Sequence, residues 1–278
     1  MTEFLDVEGG RIAYDVAGAG PLVVLAPGMG NRRDAYRFLA PQLVAAGYRV
    51  ANVDLRGHGE SSTGWSSYTR TDTAGDLLAL VRKLGGPAVL VGQSFSGGSA
   101  TIAGAREPEL ISAVVEIGPF TRVLKPSIGA LIRNRRHRKG VLLLMGVAAT
   151  GSIRLWTRYL DHAFPGRKPA DYATQLEALQ VNLREPGRMT AARKMGMAKP
   201  VDAAAQLPNL RCPALVVMGT LDPDWPDPEV EARGIVAAMP TGIGTVAMIE
   251  GAGHYPHTQF PDEAAAVILP FLKAHAHA

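Results

Sequence analysis

The chain has 278 residues, of which 47% are hydrophobic and 19% are charged. This composition excludes a disordered or fibrous protein, and the length indicates one large domain or one domain with an insertion. The single cysteine, Cys212, excludes an intramolecular disulfide and a multi-cysteine metal site.

The net charge of +4 is unevenly distributed along the chain. Residues 119–206 hold 16 Lys and Arg against 5 Asp and Glu, whereas the remainder holds 13 against 20. The chain is therefore a mildly acidic body interrupted by a basic segment, which indicates an insertion.

Strand-like and helix-like stretches alternate from the N-terminus. Short runs on both sides of Gly9-Gly10 predict a hairpin, and the wholly apolar residues 22–26 predict a strand buried on both faces. The pattern then predicts a helix over 34–46, a strand over 48–53, a helix over 73–84, a strand over 88–91, a helix over 95–106 and a strand over 111–117.

Residues 120–206 interrupt this alternation, because they look helical and rich in Met and Arg, without a convincing strand. The alternation resumes with a strand over 214–218, a helix near 228–238, a strand over 244–249 and a helix over 263–275. A hairpin followed by repeated strand–helix–strand units predicts an α/β fold with a mainly parallel, doubly wound sheet.

A serine follows the predicted strand at residues 88–91, within Gly92-Gln93-Ser94-Phe95-Ser96. A serine at a strand end that opens a helix, with small residues two positions before and after it, is typical of a nucleophile elbow. Here the sequence resembles the α/β-hydrolase superfamily, whose pattern is Gly-x-Ser-x-Gly. Ser96 replaces the last glycine, so a register with Ser96 as nucleophile stays open, although the spacing from the strand favours Ser94. A Gly/Ser-rich turn without chemistry is the other alternative.

The resemblance implies an acid and then a histidine further along the chain. Gly219-Thr220-Leu221-Asp222 resembles the family's Gly-x-x-Asp, and Asp222 takes the position of the acid. Gly251-Ala252-Gly253-His254 resembles its Gly-x-Gly-His loop, and His254 takes the position of the base. Asp224 is an alternative acid in a poorer register. His257 is an alternative base, and we expect it to be a histidine of a surface loop.

By the same resemblance, the backbone N–H groups of Met29 and Phe95 form an oxyanion hole. Met29 lies in Pro27-Gly28-Met29-Gly30, where the family usually has His-Gly, and this stretch could equally be a simple turn. Residues 54–61, Asp-Leu-Arg-Gly-His-Gly-Glu-Ser, resemble the family's Asp-x-Arg-Gly-x-Gly-x-Ser loop. We interpret that loop as structural, with glycines for the turn and a charged pair to fix it.

The resemblance further implies an α/β-hydrolase core in residues 1–118 and 207–278 and an inserted helical cap in residues 119–206. Several cap residues could line a substrate pocket: residues 142–145, Trp156, Met189, Met195 and Met197. We expect most of them to pack inside the cap instead. The basic run at 133–139 has three interpretations: a solvated face, a surface that docks on the acidic body, and an attractor of an anionic substrate.

Together these motifs predict a serine hydrolase that cleaves a carboxylic ester or lactone of a small, largely apolar substrate through Ser94, His254, Asp222 and an acyl-enzyme. A carbon–carbon bond hydrolase, a thioesterase or a perhydrolase with the same triad stays open, as does a ligand-binding member with little turnover. A serine at the elbow argues against dehalogenase and epoxide-hydrolase chemistry, which uses a carboxylate nucleophile in this superfamily.

We expect no cofactor and no metal, since no metal-ligand spacing recurs. The expected partner is a small-molecule substrate rather than nucleic acid, and a homo-oligomer is left open. The N-terminal residues do not resemble a secretory signal, and no apolar stretch is long enough to span a bilayer. We therefore expect a cytoplasmic protein.

Overall fold

A sheet of eight strands runs through the computed structural model, which describes residues 1–123 and 128–277. The strands are β1 (Glu3–Val7), β2 (Gly10–Ala17), β3 (Leu22–Ala26), β4 (Arg49–Val53), β5 (Ala88–Gln93), β6 (Ile111–Ile117), β7 (Ala214–Gly219) and β8 (Gly244–Ile249). Their order across the sheet is β1-β2-β4-β3-β5-β6-β7-β8. The β1–β2 and β2–β4 pairs are antiparallel and the others are parallel. The predicted hairpin and mainly parallel sheet are confirmed.

Twelve α-helices lie within the described residues. They are α1 (Leu39–Ala45), α2 (Arg70–Lys83), α3 (Phe95–Arg106), α4 (Ile128–Arg133), α5 (Arg135–Thr150), α6 (Ile153–Ala163), α7 (Tyr172–Arg184), α8 (Arg188–Met197), α9 (Val201–Gln206), α10 (Pro228–Ala237), α11 (Pro256–Gln259) and α12 (Pro261–His275). None of these helices combines the length and the apolar character needed to cross a membrane.

The helices cover both faces of the sheet, as a doubly wound fold requires. One face packs against α1 and α12, through side chains such as Leu43 and Ile268. The opposite face packs against α2, α3 and α10, through side chains such as Leu77 and Ile235. All five residues of β3 are buried, in agreement with the apolar run that predicted this strand.

The single helix predicted over residues 34–46 is wrong in its first half. A short 3-10 helix spans Arg33–Tyr36, and α1 begins only at Leu39. Pro41 explains the break, because a proline inside a helix clashes with the carbonyl group four residues earlier, here that of Arg37. Pro41 is therefore tolerated only in the first turn of a new helix.

Residues 119–206, which we call the helical segment, contain α4 to α9 and, in their described part, no strand. Residues 124–127 of this segment lie outside the described residues. The segment has an apolar cluster of its own, which includes Trp156, Tyr159 and Leu183. Arg37 connects it to the body through two hydrogen bonds to Asp171, of 2.6 and 2.7 Å. The boundaries of the two predicted domains stay a prediction.

Candidate active site

Ser94 occupies the tight turn between β5 and α3. Its φ and ψ are 54° and −114°, and it is the only non-glycine residue of the described chain with a positive φ. A Cβ on Gly92 would lie 2.2 Å from the carbonyl oxygen of Ser96, so the turn needs a glycine there. A strained strand-to-helix turn of this kind presents its side chain at the carboxyl end of a parallel sheet.

Ser96 lies in the first turn of α3 and is completely buried. Its Oγ donates a 2.6 Å hydrogen bond to the carbonyl oxygen of Pro27, which joins the elbow to the loop after β3. The two serines of the alternative registers therefore differ in geometry: Ser94 lies at the strained turn, and Ser96 is a buried link between two loops.

His254 and Asp222 form a buried pair at the same edge of the sheet. Nδ1 of His254 lies 2.8 Å from Oδ2 of Asp222, and both side chains are excluded from solvent. A Cβ on Gly118 would lie 3.1 Å from Nδ1 of His254, so a glycine after β6 lets the backbone pass beside the pair. In the neutral form of the ring, the proton is on Nδ1, where Asp222 accepts it, and Nε2 is available as a base.

Asp224 is a second carboxylate beside the same imidazole. Its Oδ2 lies 3.4 Å from Nδ1 of His254 and accepts a 2.7 Å hydrogen bond from the hydroxyl of Tyr159. Its backbone N–H donates to Oδ1 of Asp222 over 2.9 Å. The shorter contact favours Asp222 as the partner of His254, as the sequence register does.

The two carboxylates determine the charge of the imidazole. Burial disfavours the charged form of His254, but Asp222 and Asp224 outweigh burial and raise its pKa to about 9. Burial and the neighbouring charge of Asp222 raise the pKa of Asp224. These three residues also bring metal-ligating atom types within 4.8 Å of one another. The hydrogen bonds from Nδ1 and from Tyr159 account for this grouping.

The expectation of a surface position for His257 is wrong. His257 is completely buried in α11, and its ring lies 4.7 Å from the ring of Tyr36. Neither ring nitrogen has a hydrogen-bond partner among the described residues, and burial lowers the pKa of His257 to about 3. The ring is therefore a neutral packing group.

The loop after β3 passes directly beside the elbow. A Cβ on Gly28 would lie 2.9 Å from Cβ of Ser94. On the other side of Met29, the N–H of Gly30 donates to Nε2 of His58 over 2.8 Å. The indole N–H of Trp156 donates to the carbonyl oxygen of Gly30 over 3.3 Å. The Gly28–Met29 peptide group is held through its carbonyl oxygen, which accepts from the N–H of Asn31 over 3.3 Å, and the Met29–Gly30 peptide group is held through the N–H of Gly30. A backbone oxyanion donor requires such fixed peptide groups.

The loop at residues 54–61 supports the position of Met29 and is itself fixed by ion pairs and hydrogen bonds to residues outside the loop. Asp54 forms an ion pair with Arg33, while Arg56 donates two 2.8 Å hydrogen bonds to Asp76. Nδ1 of His58 lies 3.0 Å from the carbonyl oxygen of Arg56. Burial lowers the pKa of His58 to about 4. The neutral imidazole thus donates through Nδ1 and accepts from Gly30.

A cavity of about 100 Å³ opens beside Ser94, between the elbow and the helical segment. It is lined by Met29, Arg70, Ser94, Phe95, Phe120, Leu144, Val147, Ala148, Ala192, Arg193, Met195 and Gly196. Of the predicted lining residues, Leu144 and Met195 lie in its wall. Trp156 and Met189 pack within the helical segment, and Met197 is exposed.

The basic run at 133–139 lies away from this cavity. Arg133, Arg135 and Lys139 are exposed, and within the described chain no residue of the run forms an ion pair. Asn134 and His137 contact the body: the Asn134 amide donates to the carbonyl oxygen of Pro226, and Nδ1 of His137 lies 3.0 Å from the carbonyl oxygen of Pro223. Arg133, Arg135 and Lys139 therefore form a solvated face, while Asn134 and His137 contact the body.

Several residues at the site escaped sequence reasoning. Tyr159 and Arg70 belong to no motif, and their partners lie far away in the sequence. His58 stands at a variable position of the loop it belongs to. A signal for the start of α2 was present, because Thr69 and Asp72 form a capping box that a Thr-x-x-Asp spacing predicts.

Comparison with known proteins agrees with this architecture. The sequence model described as the alpha/beta hydrolase family matches residues 23–267. Among solved structures, an esterase of Thermogutta terrifontis aligns with a TM-score of 0.76 at 24% identity, over 100% of both chains. At that identity the likeness shows a shared fold.

Two curated proteins are similar to the chain in sequence. The polyketide synthase ThaQ of Burkholderia thailandensis is 29% identical over 283 residues, which covers 97% of this chain and 13% of the synthase. The 2-(acetamidomethylene)succinate hydrolase of Mesorhizobium japonicum is 35% identical over 114 residues, which covers 40% of this chain and 41% of that hydrolase. The matched regions thus span less than half the length of either relative.

Proposed function

The chain belongs to the alpha/beta hydrolase family, and from this membership we propose that it is a serine hydrolase that cleaves a carboxylic ester or lactone of a small, largely apolar substrate. One observation carries the proposal: a serine at a strained elbow after β5 and a buried histidine–aspartate pair after β7 and β8 all lie at the carboxyl ends of the parallel strands. Family membership alone supports hydrolysis and leaves the nucleophile open.

In the proposed acylation step, Oγ of Ser94 attacks the substrate carbonyl carbon and its proton passes to Nε2 of His254. Asp222 holds the imidazole in the required tautomer and stabilises the imidazolium that forms. The N–H groups of Met29 and Phe95 donate to the carbonyl oxygen as it becomes an oxyanion. The tetrahedral intermediate then collapses, and the alkoxide leaves with the proton from Nε2.

Deacylation repeats this sequence with water as the nucleophile. His254 takes a proton from water, the hydroxide attacks the acyl-enzyme, and the collapse of the second intermediate returns the proton to Oγ of Ser94. In a lactone the alcohol stays attached to the acyl group, so the same steps open the ring. The helical segment acts as a cap in this proposal, because it closes one side of the cavity beside Ser94.

Hydrolysis of 4-nitrophenyl butyrate and of a six-membered lactone by purified variants tests the proposal. We expect Ser94→Ala to abolish turnover and Asp222→Asn to lower kcat by about 10⁴. Ser99→Ala is the matched control, because Ser99 is buried in α3 and its hydroxyl has no hydrogen-bond partner among the described residues. Turnover that persists in Ser94→Ala at the rate of the control would refute the serine mechanism.

A further inference from the structure

Arg70 is a buried guanidinium in the wall of the cavity beside Ser94. Only 4% of the residue is exposed. Its Nε donates to the carbonyl oxygen of Phe120 over 3.1 Å, and Nη1 donates to that of Ala198 over 2.8 Å. Nη2 has no hydrogen-bond partner among the described residues. Two neutral acceptors thus orient the group and leave part of it free to bind something else.

No described carboxylate lies within ion-pair distance of Arg70. Residues 124–127, Leu-Lys-Pro-Ser, contain no acid. Asp202 is the acid that acts on Arg70 at longer range, and it is engaged by the backbone N–H groups of Thr71 and Ala203. Burial lowers the pKa of Arg70 to about 10, so the side chain is still a cation at neutral pH.

The fold makes room for this cation at the nucleophile elbow. A Cβ on Gly98 would lie 2.7 Å from Cδ of Arg70, so the arginine stem lies across α3 where that helix has a glycine. The guanidinium carbon lies 4.4 Å from the ring centre of Phe95, the residue after Ser94. The charge is therefore fixed beside the reacting serine.

The rest of the cavity wall adds a second cation and no acid within the described residues. Arg193 donates to the carbonyl oxygen of Ala148 over 2.9 Å and, like Arg70, has no ion pair in the described chain. The remaining lining side chains are mostly apolar. An unpaired cation in an apolar cavity is costly unless an anion compensates for its lost hydration.

We propose that Arg70 binds a carboxylate group of the substrate, so that the natural substrate of this site is a carboxylate-bearing ester or lactone. This inference rests on the proposed function. A guanidinium is suited to the role because its planar N–H groups match the two oxygens of a carboxylate. Arg70 is then a specificity-determining residue.

Two pairs of esters of similar shape test the proposal. The acyl-side pair is 4-nitrophenyl pentanoate and the 4-nitrophenyl monoester of glutaric acid. The alcohol-side pair is the butyrate ester of 4-methylphenol and that of 4-hydroxybenzoate. In at least one pair we expect the wild-type kcat/KM to be tenfold or more higher for the carboxylate-bearing ester.

The ratio of kcat/KM for the carboxylate-bearing ester to kcat/KM for the neutral ester should fall at least tenfold in Arg70→Met, whatever the effect on the neutral ester. Arg70→Lys should restore part of this ratio. Arg188→Met is the matched control. Arg188 also donates to body carbonyl groups, but it pairs with Glu185 and lies outside the cavity. Its ratio should equal that of the wild type. A wild-type ratio of one or less in both pairs, or an unchanged ratio in Arg70→Met, would overturn the proposal.

A binding measurement on the wild-type protein is independent of variant folding and of turnover. By titration calorimetry, glutaric acid monoamide should bind at least tenfold more tightly than pentanamide if the carboxylate lies on the acyl side, and 4-hydroxybenzoate should bind at least tenfold more tightly than 4-methylphenol if it lies on the alcohol side. Equal binding within both pairs overturns the carboxylate proposal while leaving the serine mechanism intact. Conversely, selective binding without hydrolysis of any ester would sustain the role of Arg70 and refute the proposed function.

Discussion

The hydroxyl of Tyr159 donates a 2.7 Å hydrogen bond to Oδ2 of Asp224, and the same oxygen lies 3.4 Å from Nδ1 of His254. This contact connects α6 of the helical segment to the imidazole that we propose as the general base. It also holds the second carboxylate, that of Asp224, near the imidazole, while Asp222 keeps the shorter contact with Nδ1 of His254.

Asp224→Asn should move the acidic limb of the pH–rate profile to lower pH. The base acts when neutral, so activity rises as the pH passes the pKa of His254, which the two carboxylates raise to about 9. Removing one of them lowers that pKa, by an amount on the order of one unit. The measurement is kcat/KM between pH 5 and 10.

Tyr159→Phe is the control for this shift, because it removes the hydroxyl and keeps the carboxylate of Asp224. Its limb should stay close to that of the wild type. If the acidic limb of the pH–rate profile of Asp224→Asn coincides with that of the wild type, Asp224 has no electrostatic influence on His254.

His58→Ala should lower kcat about tenfold or more, since misplaced oxyanion donors lose much of their stabilising effect. The substitution removes the acceptor of the Gly30 N–H, beside the proposed donor Met29. The comparison variant is His58→Gln, whose amide oxygen offers another acceptor and should restore part of kcat. If the kcat of His58→Ala equals that of the wild type, the hydrogen bond between Gly30 and His58 does not contribute to catalysis.

Glu116→Gln should stabilise the protein at pH 8 more than at pH 5. Burial raises the pKa of Glu116 to about 7 in the folded protein, above the ordinary value of 4.5. Between these values the folded state binds more protons than the unfolded state, so stability falls as pH rises, by up to about 3 kcal/mol. Glutamine does not ionise: its Oε1 can accept from one of the two threonine hydroxyls that donate to Glu116, and its Nε2 donates to the other.

Urea unfolding at both pH values measures this effect, because the other titrating groups cancel in the difference between variant and wild type. The free energy of unfolding of Glu116→Gln, minus that of the wild type, should increase from pH 5 to pH 8. A difference that does not change with pH would mean that Glu116 titrates normally.

The sequence carried enough information to predict the sheet and the elbow, because both depend on local patterns. The apolar run of β3 and the small residues around Ser94 are visible without any knowledge of the fold. The contact of Tyr159 with Asp224 joins residues 65 positions apart, and no periodicity encodes it. The burial of His257 likewise follows from tertiary packing against Tyr36, which a loop position in the sequence does not reveal.

Covalent labelling with a small alkyl fluorophosphonate, followed by peptide mass spectrometry, tests the central claim most directly. Fluorophosphonates react with serines that an adjacent base activates, so we expect one adduct, on Ser94. The adduct should disappear in Ser94→Ala and persist in Ser99→Ala. An adduct on Ser96, or an absence of labelling in folded protein that admits the probe, would contradict the claim that Ser94 is the nucleophile.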